Sequence, residues 1–194
     1  MNYYLDALTA GDCEAARTWR NQESVRLGLR TPHILTAEMQ RAFYDDVVCN
    51  RSVPHRFWAV RSPAVEMPPE PLPPQFNAMV GLSPISWEAG SAEISLVVDP
   101  NKQGQGVGAA AIELLLTEAF DRMRLVTVHG EVFLNNPATE FWQKQIKRWR
   151  GESTLLPRRK WWDGRLVDAL YFWFQVDRWR DVRAEHVALA LVAS

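Results

Sequence analysis

The sequence has little of several residue types that would point to particular classes of protein. Its 194 residues include only two cysteines, Cys13 and Cys49, which lie in different segments and lack the spacing of metal ligands. We therefore expect reduced thiols rather than a disulfide framework. The four histidines are too scattered along the chain to suggest a metal site, so no bound metal is predicted.

The sequence also lacks an excess of one charge and a long apolar run. The formal net charge is -1 at pH 7, which gives no global field to attract nucleic acid or a membrane surface. No apolar stretch reaches the ~18 residues of a spanning helix, and the N-terminal segment lacks the pattern of a signal peptide. We expect a cytoplasmic protein without a membrane partner. Two basic clusters, 144–150 and 158–160, leave a nucleic-acid or acidic partner as a minor alternative.

Several catalytic signatures are missing as well. The sequence contains no P-loop ending in Gly-Lys-Ser/Thr, no G-x-S-x-G nucleophile elbow, no H-E-x-x-H helix and no C-x-x-C pair. These absences argue against a P-loop nucleotidase, a serine hydrolase of the α/β type, a zinc protease and a dithiol oxidoreductase. The chemistry must therefore lie in another pattern.

The stretch 91–123 combines a strand, a glycine loop and a helix in that order. A β-branched run over 94–98 predicts the strand, the residues 99–101 break it, and the loop 103–108 precedes a helix that is apolar on most sides. A helix start leaves about four backbone N–H groups without partners and carries roughly half a positive charge. Glycines let a ligand approach that backbone closely. The order therefore predicts a phosphate-binding loop.

The loop also carries a family motif. Gln103-x-x-Gly106-x-Gly108, following Val-Val-Asp-Pro, closely resembles the Q/R-x-x-G-x-G/A motif of the GNAT superfamily of N-acetyltransferases. The resemblance implies acetyl-CoA as cosubstrate, with its pyrophosphate on the loop. It also implies an α/β fold with a mixed, mostly antiparallel sheet of about seven strands flanked by helices. The residues implied to contact acetyl-CoA are Val97, Val98, Gln103, Gly104, Gln105, Gly106, Val107, Gly108, Ala109, Asn135, Ala138 and Trp142.

The resemblance extends over most of the chain and sets its expected organisation. We expect one acetyltransferase domain over 1–176 and a helical extension over 177–194. Within the domain, six prolines between residues 62 and 77 exclude a helix or a central strand there. This segment is predicted to be a proline-rich hairpin insertion, either a surface loop or a recognition contact.

The predicted reaction needs a group that takes a proton from the acceptor amine. Glu93, on the strand before the glycine loop, is the first candidate for this base, and several GNAT enzymes use a glutamate on this strand. Glu131 on the next strand is the second choice; a purely structural carboxylate is the alternative for either. Trp142 stands where many family members have a tyrosine acid, and an indole cannot take that role. Unproven alternatives for the acid are Ser83, Ser95 and Tyr171.

The acceptor is the least determined part of the prediction. Trp19-Arg20-Asn21, a loop and then Thr36 resemble the N-terminal part of the GNAT branch that includes the ribosomal-protein N-terminal acetyltransferases. That branch implies a protein or peptide amine, with the loop 26–34 either selecting the acceptor or forming a plain surface. A small-molecule amine, such as an amino sugar, polyamine or antibiotic, is the alternative. A third reading is a non-catalytic CoA-binding or structural protein. Edge strands and the insertion are compatible with a homodimer.

Overall fold

The computed structural model describes residues 2–64, 73–162 and 164–192 of the chain. They form two compact units, the first made of 1–85 and 93–118 and the second of 86–92 and 119–194. The described part contains seven strands, β1–β7, and six α-helices, α1–α6. The strand pairs β1–β2, β2–β3, β5–β7 and β6–β7 are all antiparallel. This is the mixed α/β, mostly antiparallel fold that the resemblance implies.

The first unit contains strands in the spatial order β1-β2-β3-β4. Their bounds are Tyr4–Ala7, Arg56–Ser62, Gln75–Ser86 and Ser91–Val98. Its helices α1 to α4 span Ala10–Asn21, Glu23–Arg26, Ala37–Phe43 and Val107–Thr117. Helix α3 continues as a π-helical turn over Tyr44–Val48. The register pairs Tyr4 with Arg61 across β1 and β2, and Arg56 with Leu82 across β2 and β3.

The second unit contains strands in the spatial order β5-β7-β6. Their bounds are Thr127–Phe133 for β5, Glu152–Trp162 for β6 and Arg165–Gln175 for β7. Helices α5 and α6 span Thr139–Arg148 and Val176–Val192. Strands β6 and β7 form a hairpin, in which Trp162 pairs with Arg165 and Gly164 adopts a φ of 72°. Residue 163 of this turn lies outside the described residues.

Two helices of the first unit begin at threonines whose side chains cap them. The Thr9 hydroxyl accepts the Asp12 N–H, and the Asp12 carboxylate accepts the Thr9 N–H at 2.9 Å, which forms a capping box. The Thr36 hydroxyl accepts the Met39 N–H, as the sequence predicts. Side-chain oxygens therefore satisfy first-turn donors at the starts of α1 and α3.

An ion-pair network ties α1 to strands β1 and β2. The Arg61 guanidinium lies 2.6 Å from the Asp12 carboxylate and 2.8 Å from that of Asp6. Arg61 and Asp12 are both largely buried, so each charge depends on the other for compensation. The same aspartate thus caps the helix and fixes it to the sheet.

Helix α4 is enclosed on most sides, as its sequence predicts. Its fully buried side chains are Val107, Ala111, Ile112, Leu115 and Leu116. The polar residues Glu113 and Thr117 stay on one stripe, where the Thr117 hydroxyl donates to the Glu113 carbonyl. This burial holds the first turn of α4 in a fixed position.

The C-terminal helix packs on the second unit through large aromatic residues. Trp179 on α6 is 2% exposed, and its ring centroid lies 5.4 Å from that of Phe120. Close packing also governs strand β5, where a Cβ at Gly130 would lie 2.6 Å from the Phe172 ring. A side chain there would force the ring to move.

Two predicted boundaries differ from the structure. The run Asn-Asn-Pro-Ala at 135–138 predicts a helix that starts at Asn135, but helix α5 begins at Thr139, because the residues before it form a turn in which the Asn136 carboxamide accepts the Ala138 N–H. The insertion predicted over 62–77 is shorter at its end, since β3 begins at Gln75 and pairs with Ser62. Its central residues, 65–72, lie outside the described residues.

The two cysteines differ enough in their surroundings to be told apart chemically. Cys13 on α1 is 1% exposed, and burial raises the pKa of its thiol to about 11, whereas Cys49 is exposed. We expect iodoacetamide at about pH 8 to alkylate Cys49 in the native protein and Cys13 only after unfolding, as measured by peptide mass spectrometry.

The raised pKa of the Cys13 thiol also predicts how the stability of the folded protein depends on pH. The unfolded thiol ionises near 9.0 and the folded one near 11. The folded state therefore holds its proton longer, and the contribution of Cys13 to stability should be lost as the pH rises from about 9 to about 11. Equal alkylation of Cys13 and Cys49 in the native protein would show that Cys13 is not buried, and would contradict both predictions.

Candidate functional site

The strand β4, a short turn and the start of α4 follow one another as the sequence predicts. Asp99 ends the strand, and its carboxylate accepts the Asn101 N–H at 2.9 Å. The residues Pro100–Lys102 form a single 3-10 turn, which leads into the glycine loop. The strand break therefore has a local cause, since an aspartate that bonds two residues ahead favours a turn.

Two glycines give the loop a backbone that other residues rarely adopt. Gly104 has a φ of 74° and Gly106 a φ of 83°. A Cβ at either position would have no atom within 4 Å, so both glycines face open space. Backbone conformation rather than crowding therefore favours glycine here, and the open space lets a ligand reach the backbone.

The first turn of α4 has no side-chain cap in this fully described segment. Gly106 occupies the N-cap position in the left-handed conformation and has no side chain to offer. Helices α1 and α3 use threonine hydroxyls at the same position. The N–H groups at the start of α4 are therefore available, together with the positive end of the helix dipole, for an anion. A pyrophosphate fits this donor set.

The other predicted contacts of the first unit lie close to this helix start along the chain. Gln103 and Gln105 are exposed beside the glycines, and the Gln105 carboxamide donates to the Asn101 carbonyl at 2.9 Å. Val97 is buried, whereas Val98 and Ala109 are half-buried. The structure thus brings the loop, the strand end and the helix start together, although their contact with acetyl-CoA stays a prediction.

Glu93, the first candidate for the base, forms an ion pair that the sequence does not reveal. Both oxygens of its carboxylate face the guanidinium of Arg30, with Nη2 hydrogen-bonded to Oε1 and Nη1 lying 3.4 Å from Oε2. The Glu93 side chain is 18% exposed and the Arg30 side chain 55%. Arg30 belongs to the loop predicted to select the acceptor, so this loop reaches the candidate base.

The loop that carries Arg30 is anchored at both ends. The Arg26 guanidinium donates to the Pro32 carbonyl at 3.0 Å. The Asn21 carboxamide donates to the Leu35 carbonyl and accepts the Leu35 N–H, both at 2.8 Å. Asn21 therefore holds the loop in place. This role explains the asparagine of the Trp19-Arg20-Asn21 pattern without a contact to the acceptor.

The predicted contacts of the second unit lie around the start of α5. Asn135 is exposed, and Ala138 is the residue before the helix. The Trp142 ring packs on Phe172 with centroids 4.7 Å apart. The indole is thus held against the sheet of its unit, while the roles of these three residues toward acetyl-CoA stay predictions.

Glu131, the second candidate for the base, also faces an arginine. The Arg159 guanidinium donates to both carboxylate oxygens, at 3.2 and 3.1 Å. The Glu131 side chain is 10% exposed and the Arg159 side chain 50%. The neighbouring Lys160 lies 4.6 Å from the centre of the Phe133 ring, and burial lowers the pKa of its ammonium. This basic cluster is therefore engaged within its own unit.

Ser83, an alternative for the general acid, has a partner that sequence reasoning missed. Its hydroxyl lies 2.8 Å from Nδ1 of His55, on the neighbouring strand end. The two residues lie 28 positions apart, so only the register of β2 and β3 reveals the pair. Among the described residues no cluster of three or more potential metal ligands occurs, and no helix is long and apolar enough to cross a membrane.

The chain resembles known proteins both in its sequence family and in its fold. A family model described as an acetyltransferase (GNAT) domain matches residues 3–140. A search of the curated proteins finds no match. Many solved structures resemble the chain, and those named below are spermidine N-acetyltransferases.

Two of these structures illustrate the likeness. Spermidine N-acetyltransferase from Vibrio cholerae in complex with CoA and spermine matches with a TM-score of 0.74 and 17% identity, over 91% of this chain and 97% of that chain. A dodecameric structure of spermidine N-acetyltransferase from the same organism, in an intermediate state, matches with a TM-score of 0.68 and 18% identity, over 91% and 95%. At these identities the likeness shows the fold.

Proposed function

The chain belongs to the GNAT acetyltransferase family, and we propose that it transfers an acetyl group from acetyl-CoA to the primary amine of a small cationic molecule. The observation that carries the proposal is the start of α4, where Gly106 leaves the first N–H groups without a side-chain cap. An uncapped helix start with glycines facing open space suits the pyrophosphate of CoA. Acetyl-CoA supplies the activated acetyl thioester.

The residues of this chain have separate roles in the proposal. The N–H groups of Gly104 and of Gly106 to Ala109 bind the pyrophosphate, while the Gln105 N–H donates to the Lys102 carbonyl. Glu93 accepts a proton from the acceptor, directly or through water, because an alkyl ammonium has a pKa near ~10.4 and arrives protonated. Glu131 is the second candidate for this step. A backbone N–H stabilises the oxyanion, and no acid is assigned to the leaving thiolate, which is a fair leaving group on its own.

Two observations support a polyamine-like acceptor. The solved structures with the same fold include a spermidine N-acetyltransferase crystallised with spermine. In this chain, the carboxylate of the candidate base already pairs with a cation, the guanidinium of Arg30. An acceptor with several ammonium groups suits such a carboxylate.

A protein or peptide amine is the second candidate acceptor. It rests on the pattern Trp19-Arg20-Asn21 and Thr36, which resembles the branch with the ribosomal-protein N-terminal acetyltransferases, and the structure gives Asn21 and Thr36 structural roles.

The domain limits 1–176 and 177–194, a cytoplasmic location and a homodimer are part of the same proposal. A non-catalytic CoA-binding protein is the third alternative.

The anion site can be tested with two nearly isosteric substitutions. Gly106→Asp and Gly106→Asn both place a side chain that tolerates a positive φ in the same open space. Only the aspartate adds a negative charge, and like charges about 4 Å apart repel by roughly 1–4 kcal/mol near a protein surface. We expect the calorimetric Kd for CoA to be at least about tenfold higher for the aspartate variant than for the asparagine variant.

The asparagine variant serves as the control for backbone strain. Melting temperatures of both variants should be close, because the two side chains share size and conformation. Equal affinities of the two variants for CoA, at wild-type level, would show that the pyrophosphate does not lie on this loop.

The acceptor can be tested with a panel of amines. With saturating acetyl-CoA, we expect mass spectrometry to detect acetylation of spermidine and spermine above that of glucosamine and of a peptide with a free N-terminal serine. The physical reason is that a polyamine carries several ammonium groups, any of which can pair with the Glu93 carboxylate, whereas glucosamine and the peptide N-terminus each offer one.

The other outcomes discriminate the alternatives. Faster acetylation of the peptide would replace the small-molecule acceptor with a protein one. CoA binding without acetylation of any amine in the panel would favour the non-catalytic protein.

A further inference from the structure

The Glu93 side chain is mostly buried, and its carboxylate pairs with the guanidinium of Arg30. Within the described residues, Arg30 is the group that hydrogen-bonds to this carboxylate, and it does so through both terminal nitrogens. The two residues lie 63 positions apart in the chain. The ion pair therefore depends on the position of the loop and not on local sequence.

The two partners differ in their freedom to move. The Glu93 side chain is mostly buried on β4, whereas more than half of the Arg30 side chain is exposed. The loop backbone is tied down by Arg26 and Asn21, so a change at Arg30 concerns its side chain alone. Ion pairs with an exposed partner contribute little to stability, which makes this guanidinium replaceable.

A guanidinium and an alkyl ammonium satisfy a carboxylate in similar ways. Both are cations with several N–H donors. Glu93 can accept a proton from the acceptor only when the acceptor nitrogen or a bridging water reaches its oxygens. In the structure one Arg30 nitrogen faces each of those oxygens, so the acceptor competes with this guanidinium for them.

We propose that Arg30 is a specificity-determining residue that occupies Glu93 until a cationic amine replaces its guanidinium. The inference rests on the proposed function, since it concerns the same carboxylate. Arg30 acts as an internal competitor: a neutral molecule leaves the pair intact, whereas an ammonium exchanges one ion pair for another. Arg30 takes no part in acetyl transfer itself.

Calorimetric titration of spermidine into the full chain saturated with CoA tests the proposal without relying on turnover. Arg30→Met removes the charge and keeps a long side chain. We expect the Kd for spermidine to fall by about two- to fivefold, the range that an exposed ion pair would contribute. Arg30→Lys keeps a competing cation, so its Kd should stay near that of the wild type.

Three further measurements complete the design. Arg41→Met breaks an exposed ion pair with Asp45 elsewhere on the first unit and should leave the Kd unchanged. In the double variant with Glu93→Gln, the gain from Arg30→Met should vanish, because the carboxylate that both cations need is gone. A melting curve for each variant excludes unfolding as the cause of any change.

The outcomes separate this inference from the proposed function. A tighter Kd that depends on Glu93 supports the inference even if no acetylated product forms, in which case only the proposed function fails. An unchanged or weaker Kd in Arg30→Met, or no spermidine binding by either protein, overturns the inference. Acetylation of spermidine by the wild type with an unchanged Kd in Arg30→Met would uphold the function and reject the role of Arg30.

Discussion

The candidate site depends on a backbone constraint at the start of α4. Gly106 takes a φ of 83° at the N-cap, a position where α1 and α3 have a threonine whose side chain caps the helix. The helix behind it is buried along most of its length, so its first N–H groups cannot move away to find other partners. A buried helix that begins on an exposed, uncapped turn concentrates positive potential where a phosphate can lie.

Both candidate bases are mostly buried carboxylates that pair with half-exposed arginines. Glu93 pairs with Arg30 in the first unit, and Glu131 pairs with Arg159 in the second. In each pair the carboxylate is the less exposed partner, and the arginine comes from a different element. Each carboxylate therefore already pairs with a cation, which is compatible with the amine acceptor proposed above.

Local signals made much of this structure predictable. Strand β4 contains the predicted run 94–98 and ends at its predicted end, Thr36 caps α3, and the glycine loop precedes a buried helix, because each rests on neighbouring residues. The Arg30–Glu93 and His55–Ser83 pairs could not be predicted, since they join residues 63 and 28 positions apart and need the tertiary fold. The start of α5 was misplaced because the turn at Asn136 and Pro137 competes with the helix for the same residues.

The most direct measurement is a ¹H–¹⁵N correlation spectrum of the labelled protein during titration with CoA. An amide that donates to a phosphate oxygen shifts strongly, so the account predicts that the largest changes fall on Gly104 and on Gly106 to Ala109. If these resonances stay in place while CoA saturates the protein, the pyrophosphate does not bind at the start of α4, and the central claim is wrong.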